Sequence, residues 1–197
     1  MAKNNLKLFE ALTETIERFI LPKTEAGVAA GNKMFGAAIL NKMDLSVICA
    51  ETNNEIDNPL FHGEITTLNK FFESFRNYNP SDCIFLSTHE PCSMCLSAIA
   101  WGGFDTIFYL FSHQDSRDEH KIPHDLNILQ EVFNLAPGEY NSENYYWTCT
   151  SLQALIDTFT GDVKRDSEEN ICRLRDRYSN LSNLYQSNKS GNKIPLN

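Results

Sequence analysis

The chain has 197 residues, 42% of them hydrophobic, which is enough for one domain with a sizeable core. Its formal net charge of -9 repels a phosphate backbone, so general nucleic-acid binding is not expected. The opening "MAKNNLKLFE" lacks the apolar run of a secretory signal, and no stretch reaches the roughly 20 apolar residues of a membrane span. A soluble, cytoplasmic protein is expected, whose six cysteines are thiols or metal ligands rather than disulfides.

Residues 5–20 place Leu8, Leu12, Ile16 and Phe19 on one helical face, and Pro22 is expected to end that helix. The runs "MFGAAIL" (34–40) and "LSVICAE" (45–51) read as strands joined by a turn at "NKMD". Loop residues dominate 52–60, and a helix follows from His62 to about Phe75 with Ile65, Leu68, Phe72 and Phe75 on one face. "CIFLST" (83–88) is a buried-type strand, residues 92–101 a short helix stopped at Gly102–Gly103, and "TIFYLF" (106–111) another strand. A helix near 125–134, a last strand at "YYWTCT" (145–150) and a helix at "SLQALIDTF" come next. From Asp166 to Tyr185, a seam of Ile171, Leu174, Tyr178, Leu181 and Tyr185 predicts a helix lying on its own core, with a coiled coil as the alternative. The order predicts one α/β layered domain with a mixed sheet over residues 1–186. Residues 151–186 form a C-terminal helical extension in this reading, and 187–197 a disordered tail.

Two short motifs carry the chemistry. In "LFHGEI", His62 and Glu64 diverge by roughly 200° if both lie within a helix, so they share a site only if His62 stands at the irregular helix start. Gly63 between them permits close approach to the backbone. In "HEPCSMC", Cys92 and Cys95 lie one turn apart at a helix start, where exposed N–H groups favour thiolates. Two thiolates and one imidazole make a three-ligand Zn2+ site with a fourth position open for water. Glu64 is then the carboxylate that takes and returns the proton. His89 is the rival fourth ligand. The combination H-x-E…P-C-x-x-C is the general pattern of zinc-dependent base deaminases. A redox C-x-x-C pair or a structural zinc knuckle needs neither His62 nor Glu64 in this arrangement.

With "FGAAIL", "NNEIDNPLFHGE", "EPCSMCLSAIAW" and "IFY", the sequence resembles the cytidine and deoxycytidylate deaminase superfamily, in its guanine deaminase and tRNA adenosine deaminase branch. The resemblance runs from about Phe35 to Asp125. It implies a three-layer α/β/α sandwich with a five-stranded mixed sheet, one zinc per subunit and a homodimer or larger assembly. It further implies that His62, Cys92 and Cys95 bind the metal, that Glu64 shuttles protons, and that Asn53, with the adjacent Asn54 as the alternative, contacts the base. The branch's usual D-P-T-A-H-A-E is "NPLFHGE" here: Phe61 replaces a small residue and Gly63 an alanine. The backbone N–H of Gly63 is expected to serve the substrate carbonyl.

"WGGFDTIFYLFSHQDSRDEHKIPHDL" is more similar to the guanine deaminases, with Asp125 the candidate purine reader, or else a helix N-cap. Tyr145, Tyr146 and Trp147 are expected in the core, with base stacking the alternative. Cys49, Cys83, Cys149 and Cys172 are expected as buried structural thiols. The function so implied is zinc-dependent deamination of a purine nucleobase or nucleoside, guanine favoured. The alternatives are a tRNA adenosine, a cytosine or cytidine nucleotide, and a silent zinc-stabilised interaction module.

Overall fold

The computed structural model describes residues 2–136, 139 and 141–197. Its first helix, α1 (Ala2–Thr15), passes through a π-helical turn at Ile16–Ile20 into α2 (Leu21–Ala29). Pro22 was expected to end this segment and does not. The amide of Leu21 bonds back to Ile16, five residues away, so the register has already slipped where proline lacks its donor. The extra residue also rotates the apolar stripe. Phe19, expected in the core, is 45% exposed, while Ile20 and Leu21 are fully buried.

The sheet consists of β1 (Gly36–Asn41), β2 (Val47–Thr52), β3 (Cys83–His89), β4 (Thr106–Phe111) and β5 (Thr148–Ser151), in the order β2-β1-β3-β4-β5. The β1 strand pairs antiparallel with β2 and β3, whereas β3–β4 and β4–β5 are parallel. Helices α3 (Gly63–Ser74) and α4 (Ser93–Trp101) supply the crossovers before β3 and β4. Two helices, α5 (His113–Asp118) and α6 (His124–Phe133), follow β4; α7 (Leu152–Ile156) and the long α8 (Gly161–Asn188) follow β5.

Period-two alternation assigns the two faces. Ala37, Ile39 and Phe85 pack with Leu68, Phe71, Leu96 and Ile99 of α3 and α4. Ala38, Leu40, Ile84 and Leu86 pack with Leu12, Ile16, Ile20 and the α8 residues Ile171, Leu174 and Tyr178. The result is the expected three-layer α/β/α sandwich. The α8 seam lies on its own core.

Four expectations need correction. On α3 the core residue is Phe71, and Phe72 is turned partly outward. Tyr145 and Tyr146 precede β5 in an exposed turn, at 95% and 65%, and only Trp147 packs against the second core. Cys172 lies on the outer face of α8 and is exposed. Residues 187–197, expected to be disordered, continue α8 to Asn188 and turn through Lys189–Gly191. Ile194 is buried, and Asn197 donates to Lys189 and Asn192. The apolar Ile194 and Leu196 give this polar stretch something to bury. Among the described residues no helix is long and apolar enough to cross a membrane.

Candidate metal centre and substrate pocket

His62 and Cys92 occupy equivalent places. Each is the residue before a helix, α3 or α4, with an extended backbone (ψ 159° and 166°) that swings its side chain off the helix start. Neither caps its helix with a side-chain hydrogen bond. Cys95 follows one turn into α4. His62 Nδ1 lies 3.6 Å from Cys92 Sγ and 3.5 Å from Cys95 Sγ. Zinc bonds of about 2.3 Å to sulfur and 2.05 Å to nitrogen in a tetrahedron require an S···N edge of about 3.6 Å. Both S···N edges therefore already stand at the separation the ion demands, and the three donor atoms lie within 4.8 Å of one another. They are the group of metal-ligand side chains found together among the described residues.

The protonation of the cluster is strongly coupled. The hydrogen bond with Cys95 holds the Cys92 thiol well below its ordinary value, and burial pushes Cys95 well above. Burial opposes the charged form of His62, but the hydrogen bond and charge of Cys92 outweigh it and raise His62 to about 9. Without metal the cluster favours a thiolate–imidazolium pair, and binding a cation there releases protons.

Glu64 lies inside the first turn of α3, buried, with its carboxylate accepting 2.9 Å from the Ser87 hydroxyl of β3. Burial, then the Cys92 charge, pushes its carboxyl upward. His89 is not a fourth ligand: Nδ1 pairs with Thr88 at 3.0 Å and its ring stacks on Phe111.

A cavity of about 360 Å³ opens beside the cluster, within the range of small-molecule sites. His62, Cys92, Lys33, Glu55 and Asp125 supply its polar wall, while Phe35, Leu60, Ile122, Ile128 and the tail residues Ile194 and Leu196 supply apolar surface. Asp125 is not an N-cap, since Pro123 holds that position of α6. Its carboxyl makes no hydrogen bond among the described residues, and burial pushes it up to about 7.

Two of the residues expected to contact the substrate make hydrogen bonds within the protein. The Gly63 amide does not face the cavity free. It donates to Asn53 Oδ1 at 2.5 Å. Asn53, fully buried, gives its own amide to Glu55 Oε2 at 2.8 Å and lines a different surface depression. Glu55 accepts from the Lys33 ammonium at 2.7 Å, and its Oε1 lies 3.7 Å from His62 Nε2. Neither Lys33 nor Glu55 stood out in the sequence. They are 22 residues apart, and the acid sits among loop residues. A lone lysine just before an apolar strand is the only local signal.

Residues 11–111 match the sequence model of the cytidine and deoxycytidylate deaminase zinc-binding region, about half of the chain. The chain belongs to this deaminase family. Guanine deaminase from Bacillus subtilis is 35% identical over 96 residues, covering 47% of this chain and 60% of that protein. A tRNA-specific adenosine deaminase from Rickettsia bellii is 32% identical over 94 residues, 47% of this chain and 65% of that protein. The chain thus spans less than two thirds of the length of these curated relatives. A solved structure of a complex with 8-azaguanine superposes with a TM-score of 0.52 at 19% identity, covering 81% of this chain and 80% of that one. That likeness is one of fold.

Proposed function

We propose that the chain is a zinc-dependent hydrolytic deaminase of a purine nucleobase or nucleoside, with guanine-type bases favoured. The observation that carries this reading is the pre-spaced His62–Cys92–Cys95 cluster with a buried glutamate beside it and a cavity in front. His62, Cys92 and Cys95 hold the ion. When bound by three protein ligands, zinc supplies an acidified water at its fourth position.

Glu64 does the proton work. Its raised pKa suits a group that accepts the water proton and then donates to a ring nitrogen and to the departing amine. The water oxygen bonds the carbon that bears the exocyclic amine, that carbon's bond to nitrogen breaks, and ammonia leaves. Ser87 keeps the carboxylate in place between these transfers. Asp125, unpaired and facing the cavity, is the acceptor for N–H groups of the base. The apolar wall, Phe35 and Leu60 included, offers the ring an apolar surface to pack on.

The guanine preference rests on the Asp125 placement and on the likeness to the Bacillus subtilis enzyme. The likeness to tRNA adenosine deaminases favours a second reading, against which the net charge of -9 weighs. By the same resemblance the active form is a homodimer.

The test is ammonia release by zinc-loaded protein from guanine, guanosine, adenine, adenosine, cytosine, cytidine and dCMP. Release from a purine, reduced about 10²- to 10⁴-fold in Glu64→Ala, supports the reading. Equal activity of Glu64→Ala refutes the role of Glu64. Zinc-dependent folding without turnover on any substrate would leave the interaction-module reading in its place.

A further inference from the structure

Resting on the reading of the cavity as a nucleobase site, we propose that Lys33 is a specificity-determining residue. Its ammonium donates to a ring carbonyl of the substrate, so the site selects an oxo-bearing base over the same base carrying an amine there.

Selecting a planar base requires donors as well as acceptors along its edge. The cavity has acceptors in Asp125 and Glu55. Of the two contacts expected from the sequence, the Gly63 N–H is taken inside the protein and Asn53 lines a different depression. The Gly63 amide is bound to Asn53, and Asn53 gives one N–H to Glu55 and is not among the residues that line this cavity. A carbonyl entering this cavity would meet neither.

Lys33 fills that gap. It follows α2 and precedes β1, is 5% exposed, and yet lines the cavity. A buried ammonium is costly unless its hydrogen bonds are made. Among the described residues Lys33 has one partner, Glu55 at 2.7 Å, and an ammonium has three N–H groups to give. The same Glu55 oxygen lies 3.7 Å from His62 Nε2, which puts the ammonium one carboxylate away from the metal-binding imidazole. A base seated against the cluster therefore presents its edge to Lys33. A carbonyl oxygen there accepts a charge-assisted bond. An exocyclic amine instead sets donor against donor and leaves the ammonium unpaired. Glu55 fixes the ammonium's direction and balances its charge.

Guanine and 2,6-diaminopurine differ at one ring carbon, which carries an oxygen or an amine, and at the adjacent ring nitrogen, which is N–H in guanine and bare in 2,6-diaminopurine. Equilibrium binding of both is measured by calorimetry on zinc-loaded Glu64→Gln protein, which holds the bases without turning them over. Guanine is expected to bind about 10- to 100-fold tighter, the worth of one hydrogen bond to a charged donor. Lys33→Met lowers that ratio about 10-fold, leaving whatever the ring N–H contributes, and Lys33→Arg retains most of it. Because Lys33→Met leaves Glu55 buried and unpaired, the double variant Lys33→Met/Glu55→Gln repeats the test without that charge. A ratio unchanged in the double variant overturns the proposal, as does a Glu64→Gln protein that prefers 2,6-diaminopurine or binds neither base. Ammonia release by the wild type judges the deaminase reading separately. A protein that binds with the expected ratio but releases no ammonia refutes that reading and supports this one.

Discussion

A methyl group added at Gly63 distinguishes local propensity from tertiary fit. Gly63 opens α3 between His62 and Glu64, and its φ lies outside the left-handed region, so alanine is permitted by the backbone. Local reasoning says that Gly63→Ala stabilises, since glycine costs up to about 1 kcal/mol relative to alanine in a helix. The fold says otherwise. A Cβ at Gly63 would stand 2.6 Å from Cα of Gly36 and 3.0 Å from its N and C atoms. Ordinary contact begins near 3.4 Å, so the two backbones must part by about 0.8 Å. No side chain can rotate away, because both partners are glycine backbone. Gly36 cannot yield easily, since it is paired in β1 with Thr52 and its amide donates to Thr88 at 3.0 Å. The start of α3 moves instead, with His62 on one side of the added methyl and Glu64 on the other.

Overpacking of this kind costs about 1–3 kcal/mol, which exceeds the propensity gain. A net loss of about 1–2 kcal/mol lowers the Tm of a chain this size by about 2–8 °C. The displaced ligand and carboxylate should cost about 10- to 100-fold in kcat/KM, because positional errors near 1 Å carry penalties of that order. Calorimetric Tm, zinc content and kcat/KM are compared for wild type, Gly63→Ala and Gly191→Ala. Gly191 has nothing within 4 Å of its added Cβ and no left-handed φ, so it reports propensity alone. A Gly63→Ala protein with unchanged or higher Tm and full zinc refutes the close-approach argument. The alanine of the branch this sequence resembles would then be interchangeable with the glycine.

His120 is fully buried with neither ring nitrogen hydrogen-bonded, and burial lowers its pKa to about 4. A depressed histidine contributes stability that is present above the ordinary value of 6.5 and is lost as pH falls toward about 4, because the unfolded chain takes up the proton first. Between pH 7 and 5 this amounts to about 2 kcal/mol, so the Tm drop over that interval should shrink by about 4–8 °C in His120→Phe measured in the same metal state. An identical drop in both proteins sinks this account. Glu55→Gln removes the charge 3.7 Å from His62 Nε2 while keeping the shape, and zinc affinity by chelator competition should fall about 10-fold or more. Unchanged affinity would mean that Glu55 serves Lys33 and Asn53 only.

How much of this could be read in advance depended on how local the cause was. The grouping of His62, Cys92 and Cys95, with Glu64 in the helical turn beside His62, was legible because it follows from type, spacing and helix starts, all local quantities. Strand alternation gave the layers for the same reason. The π-helical turn was not legible. Apolar periodicity across residues 5–20 assumes a constant register, and the slip at Ile16–Ile20 is what rotates Phe19 outward. The exposure of Tyr145 and Tyr146 was hidden in a related way, since an aromatic run beside a strand reads as core until the strand's true start at Thr148 is known.

The substrate wall was the least legible part, because hydrogen-bond capacity is a tertiary sum. Asn53 and Gly63 have the right chemistry to meet a base, and each is claimed by a neighbour before the cavity is reached. One residue, Glu55, decides this. By taking the Asn53 amide on one oxygen and the Lys33 ammonium on the other, it withdraws a neutral donor from the site and holds a charged one at its edge. A neutral amide can turn over to present its oxygen, whereas an ammonium only donates. On the role proposed for Lys33, the exchange tightens the chemical demand on the substrate at that position while leaving the His62–Cys92–Cys95 cluster untouched.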